Sequence, residues 1–200
     1  GNVAGEAAID PAAPAPAEEA PAAVEVSRYK EAPMLAELVE QGLLPPIEER
    51  LPENPVVEPV LHAIGKHGGT WRRGFKGVSD RVGPNMLGAR RLALWTPEQA
   101  LRPELAEAWS YNDDASEWTI TLRKGGKWSD GSPFNSGCFR WWYDYHLTNT
   151  DITPAVSTAY KTGSGDEAVV MEVETPDDWT VVLKFAHPNP LFIYTLAGNE

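Results

Sequence analysis

The 200-residue chain is 42% hydrophobic and 10% aromatic, with eight Trp, which is enough apolar mass for a sizeable core. Its 29 acidic residues against 17 basic ones give a net charge of −12, which excludes the basic footprint that nucleic-acid binding requires. The one cysteine, Cys138, excludes an intramolecular disulfide, and no apolar run approaches the length of a membrane-spanning helix.

Residues 1–28 read as a tether. Ala12-Ala13-Pro14-Ala15-Pro16-Ala17 and Glu18-Glu19-Ala20-Pro21 oppose a regular helix and offer few large side chains to bury, so an extended segment of polyproline character is expected. The opening Gly1-Asn2-Val3-Ala4-Gly5, without an initiator Met, suggests a processed or trimmed terminus. Such a tail suits a spacer between a lipid-anchored N-terminus and a folded body, and a terminus of no particular purpose fits the composition equally.

Residues 29–66 form a second region. Pro33 to Glu40 predicts a short helix, with Pro at its first position, Gly42 as its stop and Leu35, Leu38 and Val39 as its apolar face. Leu44-Pro45-Pro46, Leu51-Pro52 and Asn54-Pro55 then impose an extended path expected to clasp the surface of the body that follows.

The body proper spans residues 67–200. His67-Gly68-Gly69-Thr70-Trp71-Arg72 reads as a turn feeding a strand, and Leu92-Ala93-Leu94-Trp95 as a short apolar run ended by Thr96-Pro97. Glu104 to Trp109 leads into a turn at Asn112-Asp113-Asp114. Glu117 to Arg123 alternates apolar and polar residues, the mark of a half-buried strand. Lys124 to Phe134 makes two tight turns around Trp128. After Asn135 or Ser136 as a cap, Phe139, Trp142, Tyr143 and His146 fall on one face of a helix. Val169–Val173 and Thr180–Phe185 predict a hairpin turning at Thr175-Pro176-Asp177-Asp178, and Leu191–Leu196 a final helix. An apolar segment immediately before residue 200 is expected to need partners, which suggests a fragment.

Little in these residues points to chemistry. His62, His67, His146 and His187 show no metal-ligand spacing, and Cys138 has no cysteine companion, so structural roles are expected and no metal is assigned. Asp113-Asp114 and Asp177-Asp178 sit in turns, where Asp bonds its own backbone and adjacent side chains point apart, so no catalytic pair is assigned. Gly163-Ser164-Gly165-Asp166-Glu167-Ala168 matches a dinucleotide-binding string but precedes a strand instead of a helix, and is rejected. No cofactor is implied. Trp118 is expected in the core, and one of the adjacent Trp141 and Trp142 is expected to be partly exposed, since they point about 100° apart on a helix.

Arg102-Pro103-Glu104-Leu105-Ala106-Glu107-Ala108-Trp109, then Trp118-Thr119-Ile120-Thr121-Leu122-Arg123-Lys124-Gly125 and Lys127-Trp128-Ser129-Asp130-Gly131-Ser132-Pro133-Phe134, resemble the signature of the bacterial extracellular solute-binding proteins of family 5, the oligopeptide-, dipeptide- and nickel-binding type. The looser likeness runs from Gly68 to the end. One departure is Asn135-Ser136-Gly137-Cys138, where the family usually continues Thr-Ala-x-Asp; losing the acidic helix start is expected to weaken the cap.

The resemblance implies a mixed α/β (α+β) fold of the type II periplasmic-binding-protein kind, of which residues 67–200 supply a partial N-terminal lobe with its extra subdomain, the C-terminal lobe being absent. It implies a non-enzymatic, monomeric, extracytoplasmic protein, periplasmic or a cell-surface lipoprotein, that captures a peptide or other small solute between two lobes. Its partner would be the membrane permease of an ABC importer. Trp128 and Phe134 are expected to anchor the signature turn on the sheet. The segment after the first strand would run along the cleft, making Phe75, Asp80 and Asn85 the candidate ligand-binding residues, with an ordinary surface loop as the competing reading. Peptide, nickel and oligosaccharide ligands remain open. The alternative function is a carbohydrate-binding or adhesion module that stacks sugars on exposed Trp; a third is a hydrolase lacking its catalytic half.

Overall fold

The computed structural model describes residues 29–70, 72, 74, 76–77 and 90–198. The chain divides into two units, Gly1–Lys30 and Glu31–Glu200, and the second carries every element named below. α1 (Pro33–Glu40) begins with Pro33, where a missing N–H costs no intrahelical bond, and gives way to Gly42 in the left-handed region. α2 (Ile47–Arg50) is a single turn. Neither helix fully buries a residue.

Beyond α2 the chain lies along the body through polar contacts. The Glu53 N–H donates to the Lys124 carbonyl at 2.9 Å, the Arg123 guanidinium to the Asn54 carbonyl at 2.7 Å, and the Asn54 amide to Glu107 Oε1 at 2.7 Å. The Lys127 ammonium donates to the Glu49 carbonyl.

β1 (Ala93–Trp95) and β2 (Leu101–Pro103) form a short antiparallel ribbon. Chain order then brings β3 (Ala106–Tyr111), β4 (Glu117–Leu122), α3 (Ser136–Trp142), β5 (Lys161–Thr162), β6 (Val169–Val170), β7 (Glu172–Asp177), β8 (Thr180–Lys184) and α4 (Phe192–Ala197). The main sheet is antiparallel in the order β3-β4-β8-β7.

The alternation along β4 puts Trp118, Ile120 and Leu122 wholly inside, at 1%, 0% and 0% exposure. The register sets Trp118 opposite Leu183 and Ile120 opposite Val181, while Val173 of β7 faces Leu183 from the other side. One sheet face is thus a continuous apolar layer, and each such side chain contributes about 1.5–3 kcal/mol by leaving water. α4 completes the core with Phe192, Ile193 and Ala197. Phe192 meets the ring of Trp118 edge-on at 6.0 Å, and the Trp118 indole N–H reaches the Asn189 carbonyl at 3.2 Å, so the buried ring leaves no polar atom unpaired.

Side-chain oxygens hold the turn between β3 and β4. Asn112 Oδ1 accepts from the Glu117 N–H and Asp114 Oδ1 from the Ser116 N–H, closing β3 onto β4. Hydrogen bonds from Ser116 hold the Asp114 carboxyl below its usual range. The Glu104 carboxylate, buried at the end of β2, accepts from the Arg90 guanidinium at 3.0 Å and from the Arg91 N–H at 3.1 Å, pinning the entry to β1.

The hairpin differs from the sequence expectation. Its turn is Asp178-Trp179, with Asp177 Oδ1 accepting from the Trp179 N–H at 2.7 Å, and not Thr175-Pro176-Asp177-Asp178. Pro176 instead lies within β7, at the register shift between Glu174 and Asp177. β7 is an edge strand of the sheet, where a residue without an N–H can be accommodated. Val169 and Val170 likewise leave the expected strand and pair with Lys161 and Thr162.

Candidate functional site

Asn135 starts α3. Its side-chain oxygen accepts from the Gly137 N–H at 3.1 Å, so a neutral cap replaces the acidic start and the first turn is held. Ser136 adds a second hold: its hydroxyl donates to the Asp177 carbonyl at 2.6 Å and its N–H to the Asp178 carbonyl at 2.9 Å. The helix is thereby fixed to the tip of the β7–β8 hairpin. On its other flank the Arg140 guanidinium donates to the Val173 carbonyl at 2.9 Å and pairs with Asp144 one turn on.

The helix does not continue in regular α form. Tyr143–Leu147 is a π turn, with the Thr148 N–H reaching the Tyr143 carbonyl. The widened turn moves the buried register by one residue. His146, which the i, i+7 spacing placed on the apolar face, is exposed, and Leu147 takes the inner position at 3% exposure.

Between α3, α4 and the sheet lies an apolar groove of about 690 Å³. Trp128, Phe139, Trp141 and Trp142 form its α3 side, Phe192 and Leu196 its α4 side, with Met171 and Leu183 among its other lining residues. The aromatic rings brace one another: Trp128 meets Phe134 edge-on at 5.2 Å, Phe134 meets Phe139 at 5.8 Å, and Trp142 meets Tyr160 at 5.1 Å. The Trp128 indole N–H points to Cys138 Sγ at 3.4 Å. No carboxylate, ammonium or imidazole lines this groove among the described residues. Its lining chemistry suits an uncharged, apolar group.

The signature turn sits at its mouth. The Trp128 N–H donates to the Ser132 carbonyl at 2.9 Å, the Phe134 N–H to the Gly126 carbonyl at 2.9 Å, and Asp130 Oδ1 accepts from both the N–H and hydroxyl of Ser132. The Ser132 hydroxyl is the main reason the Asp130 carboxyl lies below its usual range. Phe134 packs half-buried against the core as expected, whereas Trp128 is 52% exposed and braces Phe134 and Cys138 at the start of α3 in place of the sheet.

Of the sequence candidates, Phe75, Asp80 and Asn85 lie outside the described residues. Trp118 is in the core, and Trp141, at 61% exposure, is the outward member of its pair with Trp142. The groove itself was not anticipated, because α4 and the turn at Trp128 lie far apart in sequence; the aromatic density between Trp128 and Tyr145 was its only local signal. Two aromatic pairs also reach the surface: Trp95 stacks on Tyr194, 5.3 Å apart and 6° from parallel, and Trp141 lies tilted against Tyr145 at 5.7 Å and 30°.

Residues 100–199 match the family model described as bacterial extracellular solute-binding proteins, family 5 middle. Among solved structures, an oligopeptide-binding protein OppA is 41% identical, with a TM-score of 0.76, over 85% of this chain and 26% of its own. The periplasmic binding protein MelB of Agrobacterium fabrum C58, solved with stachyose, is 25% identical with a TM-score of 0.57, over 82% of this chain and 27% of its own. The periplasmic alpha-galactoside-binding protein of Rhizobium meliloti (strain 1021) is 27% identical over 150 residues, which is 63% of this chain and 21% of that protein. The chain therefore spans between a fifth and about a quarter of the length of these relatives.

Proposed function

The chain belongs to the bacterial extracellular solute-binding proteins of family 5, and from that premise we propose that it serves an ABC importer as an extracytoplasmic receptor for peptides. The observation that carries the peptide reading is the 41% identity and TM-score of 0.76 to an oligopeptide-binding protein across 85% of the chain. In this reading residues 67–200 are part of one lobe of a two-lobed trap, and residues 1–28 tether it outside the membrane. Ligand bound between the lobes favours the closed form, which the permease recognises. Affinity comes from hydrogen bonds to the ligand's peptide backbone, with pockets that tolerate varied side chains. Phe75, Asp80 and Asn85 contribute ligand contacts along the cleft, and the protein acts as a monomer without catalysing a reaction.

A second reading takes an oligosaccharide as the ligand. The stacked, half-exposed rings of Trp95 and Tyr194 favour it, since aromatic faces suit sugar rings, as does the likeness to an alpha-galactoside-binding protein.

Uptake by cells separates the two. Deleting the gene should abolish import of a labelled oligopeptide mixture and spare import of labelled alpha-galactosides, with Asp80→Asn and Asn85→Ala reducing peptide uptake. The reverse pattern would replace peptide by oligosaccharide, and unchanged uptake of both would overturn the importer function.

A further inference from the structure

The segment 47–58 touches the body in an unusual way for a part of a folded domain. Its apolar residues are absent from the buried core and from the half-buried layer packed against it. Leu51, Pro52, Pro55 and Val56 are half-buried outside that core, and a set of polar latches at one end of the sheet joins the segment to the body. Arg123 is the central one: its Nε donates to the Glu104 carbonyl of the body at 2.6 Å, while its Nη1 donates to the Asn54 carbonyl of the segment at 2.7 Å. The Glu53 N–H bonds the Lys124 carbonyl, Lys127 holds the Glu49 carbonyl, Asn54 holds Glu107, and Glu58 pairs with Arg102 at 2.7 Å. Gly125 completes the seat. At φ +77° it is in the left-handed region, and a Cβ there would lie 3.5 Å from the Glu53 nitrogen and the Pro52 Cα.

We propose that residues 47–58 form a releasable strap, latched by Arg123 and Lys127 of the signature turn, that opens locally while the four-stranded sheet stays folded. The physical reason is an asymmetry of attachment. The sheet is held by buried apolar side chains and by ladder hydrogen bonds on both sides of β4 and β8, so it opens only with the whole core. The strap is held by exposed or half-exposed charge-assisted bonds, which water and salt compete for. Its opening uncovers the Arg123 guanidinium and the Lys124 carbonyl at the sheet's end, and leaves Glu104 tied to Arg90 and Arg91.

Hydrogen exchange read by mass spectrometry tests this on the whole chain. Amides of 47–58, Glu53 included, should exchange about tenfold or more faster than those of β4 and β8, since charged hydrogen bonds contribute modestly when water can replace them. Arg123→Met should speed strap exchange by a further factor of about ten, and 1 M salt should do likewise, with β8 unchanged in both. Because Arg123 also holds the Glu104 carbonyl, the double variant Asn54→Ala, Lys127→Met supplies a second arm that removes strap latches alone; it should speed the strap and leave β8 as it was. Strap and β8 amides exchanging together in the unmodified chain, or a double variant that leaves the strap rate unchanged or frees the sheet with it, overturns the proposal.

Discussion

At Gly163, where the chain leaves β5, the backbone takes φ +95° and a Cβ would stand 2.8 Å from the Glu167 carbonyl oxygen. That contact is with backbone, so it cannot be relieved by turning a side chain. The glycine-rich string that imitates a nucleotide-binding loop is therefore explained by a tight reversal between β5 and β6. Gly163→Ala should cost about 2 kcal/mol from the left-handed backbone and the collision together. In a chain of this size that lowers the melting temperature by about 4–8 °C, and a thermal melt followed by circular dichroism checks it. Gly165, also at positive φ, has open space around it, so Gly165→Ala should cost less in the same melt.

The elements show which rules a sequence displays and which it hides. Strand β4 was legible because its period of two is local: Trp118, Ile120 and Leu122 declare their common face without reference to the rest of the chain. The hairpin was misplaced because Pro176 reads as a turn residue, and only the sheet order shows that it lies on an edge where its missing N–H has no partner to fail. The π turn that follows α3 was hidden for a related reason. Counting 3.6 residues per turn assumes regularity through His146, and Tyr143–Leu147 breaks it. A pair of substitutions reads that register directly. Leu147→Ala should cost about 2–5 kcal/mol as a buried truncation, whereas His146→Ala should stay within about 0.5 kcal/mol as a surface change; urea unfolding of both measures the contrast, and the reverse order would restore the unbroken helix.

For the described body as a whole, the open question is how much apolar surface it carries uncovered. Trp128 and Trp141, which line a groove with no charged lining residue among those described, are more than half exposed, and Tyr145, Leu191 and Tyr194 are each about half exposed or more. Soluble monomers seldom leave such surface bare. The chain should enhance the fluorescence of an anilinonaphthalene sulfonate dye, and the double variant Trp128→Ser, Trp141→Ser should lower that signal by roughly half with an unchanged far-ultraviolet spectrum. A dye signal that ignores both substitutions would place the exposed surface elsewhere. The fold around the groove was readable from signature and periodicity, while the groove was not, because it forms only where α4 returns to Trp118 and Met171. The open margin of the sheet is treated differently from this bare face. There Pro176 offers no donor and Arg140 occupies the Val173 oxygen, so a second molecule arriving alongside β7 finds neither a complete row of donors nor a complete row of acceptors to copy. Strand addition at the β7 edge is thereby blunted, and β3 forms the other edge of the sheet.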